Sequence, residues 1–150
     1  MSVTTKHGDQ GLTDIKSGRI NKSDDIVKVL GCFDSTMAII MLADNYCHIE
    51  NVENIIANLS SLAGVVAGYV DSFQLEKQIK ILDDFILNND NQPFNFVYPF
   101  RQTDKLWLNY ARTQIRNLEQ LLWSVNCLPQ QYISYINRLS DYFYVLFTKM

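Results

Sequence analysis

Leu108-Asn109-Tyr110-Ala111-Arg112-Thr113-Gln114-Ile115-Arg116-Asn117-Leu118-Glu119-Gln120-Leu121-Leu122-Trp123-Ser124-Val125 carries two helical stripes side by side. Leu108, Ala111, Ile115, Leu118, Leu122 and Val125 recur at spacings of three and four, which makes an apolar helix face. Arg112, Arg116 and Glu119 repeat that spacing one residue later, about 100° around a helix of 3.6 residues per turn. Two guanidiniums and a carboxylate therefore line the edge of the packed stripe instead of the back of the helix. Arginine's planar fork at a half-buried edge suits a carboxylate or a phosphate. An interhelical salt bridge that only holds a bundle together is the competing reading.

Periodic segments lie on both sides. Ser23 or Asp24 is a natural N-cap for a first helix, with acid in its first turn, whose pattern runs through Ile26, Val29, Leu30, Phe33, Met37, Ile40 and Met41 to about Tyr46. A second helix is expected over roughly Asn51–Val70, with Ile55, Ile56, Leu59, Leu62, Val66 and Tyr69 inward. Its Gly64 and Gly68 either permit a close approach or merely weaken the helix. A third runs from about Ser72 to Leu87, and the polar stretch Asn88–Pro93 breaks it. Phe94-Asn95-Phe96-Val97-Tyr98-Pro99 then reads as a buried strand-like loop or as a ligand wall. Thr103 can cap the fourth helix, and Pro129 opens a fifth that continues to the end. Helix five is apolar or aromatic nearly all round, from Tyr132 to Phe147. That pattern fits an oligomeric interface or a central helix surrounded within one subunit. Residues 1–22 are polar, contain three glycines and lack periodicity, so they read as a loop. The expectation is an all-α, single-domain five-helix bundle of ferritin-like type without strand pairs.

Composition narrows the chemistry. A chain of 150 residues, 47% hydrophobic and 19% charged, has ample material for one core. A formal net charge of −3 and the lack of a Lys/Arg cluster predict no nucleic-acid partner. The N-terminus has no apolar core of a signal peptide, and the densest apolar stretch, Met37–Ala43, is short for a bilayer, so no membrane association is expected. Cys32, Cys47 and Cys127 sit in apolar patterns and read as reduced thiols of a cytoplasmic protein. His7 and His48 have no metal-ligand spacing, and the Glu-x-x-His pairs of a di-metal bundle are missing, so no metal site made of protein ligands alone is expected.

The N-terminal segment Thr5-Lys6-His7-Gly8-Asp9-Gln10-Gly11-Leu12-Thr13, followed by Arg19 and Lys22, brings glycines and positive charge together. Backbone amides of such a loop approach an anion closely, although the Gly-Lys-Ser/Thr ending of a Walker loop is absent. Taken with helix four, the loop resembles the ATP:cob(I)alamin adenosyltransferase family of trimeric five-helix bundles. The resemblance rests on that loop with Arg19-Ile20-Asn21-Lys22, on Gly31 and Asp34 of helix one, and on Phe96-Val97-Tyr98-Pro99. It continues in Ala111-Arg112, Arg116 and Glu119, and in the intact Asn137-Arg138-Leu139-Ser140-Asp141-Tyr142. The matches are collinear over nearly the whole chain.

The resemblance implies a single adenosyltransferase-like domain over 1–150, with a nucleotide-binding loop at 1–22 and the bundle at 23–150. It implies transfer of the 5′-deoxyadenosyl group of ATP to the cobalt of a reduced corrinoid, with Mg²⁺ accompanying ATP, possible Mg²⁺ contact near Glu119, and cobalamin as the substrate. Thr5, Lys6, His7, Gly8, Asp9, Thr13 and Lys22 would hold ATP together with Arg116, Glu119 and Asn137. Arg112, Arg116 and Asp34 would be the residues tied to catalysis, Asp34 and Arg112 as an ion pair between subunits. Phe96 would sit under the corrin and displace its axial ligand; a plain core role is the competing reading. The partners implied are two further copies in a homotrimer, a reductase, and an acceptor enzyme dependent on adenosylcobalamin.

This chain departs from the family's pattern at several positions. His7 replaces a threonine, the loop is one residue shorter before Arg19, and Ser35 replaces a glutamate. Asn117 and Gln120 replace arginines, and Phe100-Arg101 stands where Gly-Gly is usual. Charge-assisted hydrogen bonds contribute about 1.5–3 kcal/mol each, so losing two arginines weakens ATP binding. The alternative function is therefore a degenerate relative that binds corrinoid or nucleotide, for delivery or sensing, without turnover.

Overall fold

Asp24 caps the first helix, accepting a hydrogen bond from the Ile26 N–H at 3.0 Å, with Asp25 in the first turn. In the computed structural model, which describes residues 2–149, the chain runs β1 (Leu12–Ile15), β2 (Gly18–Asn21), α1 (Asp25–Cys47), α2 (Val52–Ala67), α3 (Leu75–Asn89), α4 (Thr103–Val125) and α5 (Gln130–Lys149). Met1 and Met150, the ends of the expected 1–150 domain, lie outside the described residues. All five expected helices form. α4 packs against both α1 and α5, α5 against α3, and α1 against α2.

The apolar stripe of α4 is the seam of this packing. Leu108, Ala111, Ile115, Leu118 and Leu122 are buried, facing Val29, Phe33, Ile40 and Ala43 of α1 and the aromatic side of α5 within one core. α5 is the central helix: Ile133, Tyr135, Ile136, Leu139, Tyr142, Phe143, Val145, Leu146 and Phe147 are all buried inside one chain. Its aromatic wrap is therefore satisfied internally and gives no argument for oligomerisation. The polar tips are partnered as well. The Tyr142 hydroxyl donates to the Glu50 carbonyl at 2.7 Å, and Tyr135 accepts from Asn58 Nδ2 at 3.1 Å.

The N-terminal segment is not wholly a loop. β1 and β2 form an antiparallel hairpin with Thr13 opposite Ile20, which corrects the expectation of no strand pairs. Four-residue strands are marginal alone. Docking on α2 supports them: the Lys16 N–H donates to the Ala67 carbonyl at 3.2 Å, and the Lys16 ammonium lies 5.7 Å from the Tyr69 ring centroid. Tyr69, expected to face inward, is exposed because α2 ends at Ala67 and the left-handed Gly68 turns the chain out of the helical register. Gly68 ends α2 with φ +88, and Gly64 is crowded by the returning chain, where a Cβ would lie 2.5 Å from Val70 Cγ2. The close approach at Gly64 is thus made by its own helix's exit and not by a neighbouring helix. Thr103 does not cap α4; Gln102 takes that position and makes no side-chain cap bond.

α1 is apolar over a longer stretch than Met37–Ala43 alone. Over 23 residues it is long and apolar enough, by length and composition, to cross a membrane, and only 28% of its most apolar window is buried. Asp34 and Asp44 within it argue against a bilayer, where carboxylates are costly. Met41, Leu42 and Tyr46 lie exposed on it, and Tyr46 stacks on Trp107 of α4 at 5.9 Å. The result is an apolar face shared by α1 and α4 that this chain leaves uncovered.

Candidate active site

The segment between α3 and α4 forms an aromatic strap over the end of the bundle. It is neither a strand nor buried: Phe94, Phe96, Tyr98 and Phe100 are all exposed, Phe96 at 74%. Exposure removes the buried, strand-like reading of Phe94–Pro99 and with it a core role for Phe96. Tyr144 of α5 pins the strap. Its hydroxyl accepts from the Asn95 N–H at 2.9 Å and donates to the Asn95 carbonyl at 2.8 Å. Its ring also stacks on Phe94 at 5.0 Å, and Phe94 meets Phe96 edge-on at 5.3 Å. Pro99, buried, anchors the far end.

Under the strap lies a cavity of about 120 Å³ that Phe96 and Arg112 both line, together with Tyr98, Asn109 and Phe147. Arg112 Nε donates to Asn109 Oδ1 at 3.0 Å, and its guanidinium lies 5.7 Å over the Phe147 ring. Burial, and then the like charge of Arg116 one turn on, push the Arg112 pKa below the usual arginine value. Among the described residues, neither Arg112, Arg116 nor Glu119 takes part in an ion pair. The arginine stripe of α4 is therefore not an interhelical clamp within this chain. It is a half-buried guanidinium at Arg112, beside the apolar wall, followed one turn on by the exposed Arg116, an arrangement suited to an anion.

Asn137 is exposed on α5, where its carbonyl accepts from Ser140 Oγ at 2.7 Å. Arg138, next to it, pairs with Asp83 of α3 and lies 3.7 Å from Asp141. Burial raises the Asp141 pKa, while Arg138 and Arg116 act against that rise. Arg116 is thus close enough to Asp141 for their charges to interact. The spacing within Asn137–Tyr142 serves two ends: Arg138 and Tyr142 tie α5 to α3 and to the Glu50 carbonyl, and Asn137 is left facing outward.

The N-terminal loop folds on itself. The Asp9 N–H donates to the Lys6 carbonyl and the Gly11 N–H to the Gly8 carbonyl, both at 3.2 Å, and the Lys22 N–H donates to the Gly11 carbonyl at 2.7 Å. The His7 N–H reaches Thr5 Oγ1 at 3.4 Å, and Arg19 donates to the His7 carbonyl. Lys22 Nζ lies over Gly8, 2.7 Å from where a Cβ would stand, so the lysine's flexible tip closes on the backbone there. Lys6, Gly8 and Lys22 are therefore brought together, with Thr13 half-buried on β1 behind them. No hydrogen bond or ion pair among the described residues joins this loop to Arg112, Arg116, Glu119 or Asn137. Asp34 is exposed on α1 and has no ion-pair partner among them either.

The sequence pattern did not single out Tyr144, Asn109 or Phe147. Tyr144 and Phe147 look like core aromatics of α5, and only the strap's path reveals their second use. Arg101 is a further addition. It takes φ +63, a left-handed conformation that costs a residue with a side chain about 1–2 kcal/mol. All three cysteines, expected as reduced core thiols, are unpaired but only half-buried, and burial raises their pKa values, that of Cys47 to about 11.

A family model described as cobalamin adenosyltransferase matches residues 3–150. Among solved structures, the chain is similar to variants of a PduO-type ATP:corrinoid adenosyltransferase from Lactobacillus reuteri. One, complexed with cobalamin and ATP, shares 24% identity over 97% of this chain and 91% of that chain, with a TM-score of 0.86. A second, also with cobalamin and ATP, shares 23% over 97% and 89%, with a TM-score of 0.86. A third, complexed with ATP, shares 23% over 97% and 91%, with a TM-score of 0.85. At these identities the likeness establishes the fold. No curated protein matches the chain.

Proposed function

The chain belongs to the cobalamin adenosyltransferase family, and from that premise we propose that it transfers the 5′-deoxyadenosyl group of ATP to the cobalt of a reduced corrinoid, releasing triphosphate. The observation that carries this reading is the cavity shared by Phe96 and Arg112, in which an exposed aromatic wall meets under-compensated positive charge. The substrate cobalt, as Co(I), supplies the electron pair that forms the bond to C5′. The C5′–O bond breaks, and its pair leaves on the triphosphate. What remains for the protein is alignment and stabilisation of the leaving group.

Phe96 would lie against the lower corrin face, where an apolar ring excludes the axial ligand. Arg116 would take the departing polyphosphate, supported by Lys6 and Lys22. The amides around Gly8 and Asp9, the side chains of Thr5, His7 and Thr13, and Asn137 would complete the nucleotide site. Among the described residues no group of three or more metal-binding side chains occurs. A single carboxylate such as Glu119 offers Mg²⁺ at most one ligand, so the ion would be held chiefly by the phosphates and water.

Among the described residues of one chain, the loop and the α4 stripe make no contact through hydrogen bonds or ion pairs. The uncovered apolar face of α1 and α4 gives a second copy somewhere to dock. Both features support a homotrimer with sites between subunits, in which Asp34 of one copy meets Arg112 of the next. A separate reductase would supply Co(I), an adenosylcobalamin-dependent enzyme would take the product, and the unpaired thiols fit a cytoplasmic setting.

Purified protein mixed with ATP, Mg²⁺ and chemically reduced cobalamin tests the reading through its visible spectrum. The expected result is replacement of the Co(I) absorption by that of a light-sensitive alkylated cobalt, with triphosphate released. A persistent Co(I) spectrum in protein shown to bind ATP would instead favour the non-turnover alternative.

A further inference from the structure

Beyond the Phe96 wall, the strap ends in a corner whose side chains the proposed reaction does not use. Pro99 is buried, and around it the Phe100 N–H donates to the Tyr98 carbonyl at 2.8 Å and the Gln102 N–H to the Pro99 carbonyl at 3.2 Å. The two rings flanking this peg are turned outward: Tyr98 is 72% and Phe100 74% exposed, with centroids 6.5 Å apart and planes inclined by 31°. Arg101 follows, exposed, in its strained left-handed conformation, and makes no ion pair among the described residues. Strain held on an exposed loop beside a site points to use. Tyr98 also lines the cavity under Phe96, so the corner is continuous with that site.

Flat rings and a guanidinium on one corner have the chemistry that suits a nucleotide. A base stacks on aromatic faces, and a guanidinium matches a phosphodiester in a chain whose net charge is otherwise −3. One substrate carries such a group away from its reacting centre. A complete corrinoid ends in a nucleotide tail with an aromatic base, and a ring pressed on the lower corrin face sets that base loose.

We infer that Tyr98, Phe100 and Arg101 receive the displaced nucleotide tail of the corrinoid, the rings taking the base and Arg101 the phosphodiester, so that the protein prefers complete corrinoids to tail-less ones. This inference rests on the adenosyltransferase reading.

Binding and turnover together test it. Cobalamin and cobinamide, both as Co(II) and with ATP saturating, are titrated into the wild type and into Phe100→Ala/Arg101→Gly, with fluorescence quenching as the readout; adenosylation from Co(I) is measured alongside. Glycine relieves the backbone strain at Arg101, which keeps the fold out of question. The expected result is that the wild type binds cobalamin about tenfold more tightly than cobinamide (~1.4 kcal/mol). The variant should lose that preference through cobalamin alone, with cobinamide affinity unmoved. Equal wild-type affinities, a parallel loss for both corrinoids, or a change confined to ATP would overturn the inference. Retained tail preference without adenosylation would count against the enzymatic reading while leaving the tail receptor standing.

Discussion

Tyr144 holds both backbone groups of a single residue: its hydroxyl accepts from the Asn95 N–H at 2.9 Å and donates to the Asn95 carbonyl at 2.8 Å. One phenol on the central helix thus fixes the height of the aromatic strap above Arg112. Tyr144→Phe removes both bonds at an exposed position where water replaces them. At about 0.5–1.5 kcal/mol per bond, global stability changes little. The strap loosens instead, so the KM for corrinoid is expected to rise several-fold while the KM for ATP stays put. Steady-state kinetics with each substrate varied in turn check this; an unchanged corrinoid KM would show that the strap is held by other contacts.

Arg116→Ala should reduce adenosylation below about a tenth of wild type, a loss exceeding ~1.4 kcal/mol. The leaving triphosphate would lose a guanidinium that has no ion-pair partner among the described residues. Arg116→Lys should recover little, because a point charge does not reproduce a bidentate fork. Single-turnover rates at saturating ATP measure the effect directly. An Ala variant above that threshold would remove Arg116 from the phosphates.

Asn117 and Gln120 are both exposed on α4, so arginine fits at either without repacking. Asn117→Arg with Gln120→Arg should lower the KM for ATP by tenfold or more, given about 1.5–3 kcal/mol for each charged hydrogen bond regained. Higher or unchanged KM values would mean that these positions do not face the nucleotide.

Light scattering should give a mass three times the 17.3 kDa of the chain. Leu42→Asp, on the uncovered face of α1, should yield monomers with little activity, because a carboxylate cannot be buried there unpaired. A wild-type monomer with full activity would contradict sites shared between subunits.

Alkali should unfold the protein through its buried phenols. Burial raises the Tyr135 pKa to about 12, above the value near 10 of an unfolded tyrosine. The folded pKa is the higher one, so the stabilisation is complete below pH ~10 and is lost as pH rises from there towards 12. Tyr135→Phe should shift the alkaline midpoint upward at little cost near neutrality, because Asn58 Nδ2 keeps Gln78 Oε1 at 2.9 Å. Circular dichroism across that pH range reads the shift.

Helix count and order were legible because α4 and its neighbours carry clean three-and-four spacing, which packing reinforces. The hairpin was not. Its strands span four residues each, and their stability comes from the Lys16 contact with the end of α2, which no local pattern records. Helix five showed the opposite limit: aromatics all round look the same whether the cover is the chain's own or a partner's. α1, with ordinary spacing, is the helix left uncovered. At the site, Arg112, Arg116 and Phe96 could be named from spacing and resemblance. The meeting of Phe96 with Arg112 across one cavity depends on Tyr144, which is indistinguishable in sequence from a core aromatic.

The most direct test of the account is the rate of adenosylation by Phe96→Ala from Co(II) with a mild reductant, divided by its rate from pre-reduced Co(I). Phe96 is 74% exposed, so its loss should leave stability within about 0.5 kcal/mol and ATP affinity nearly unchanged. If the ring excludes the lower axial ligand, the Co(II) rate collapses while the Co(I) rate largely survives, and the ratio falls well below wild type. An unchanged ratio, with both rates intact or both lowered together, would contradict the placement of the corrinoid against Phe96.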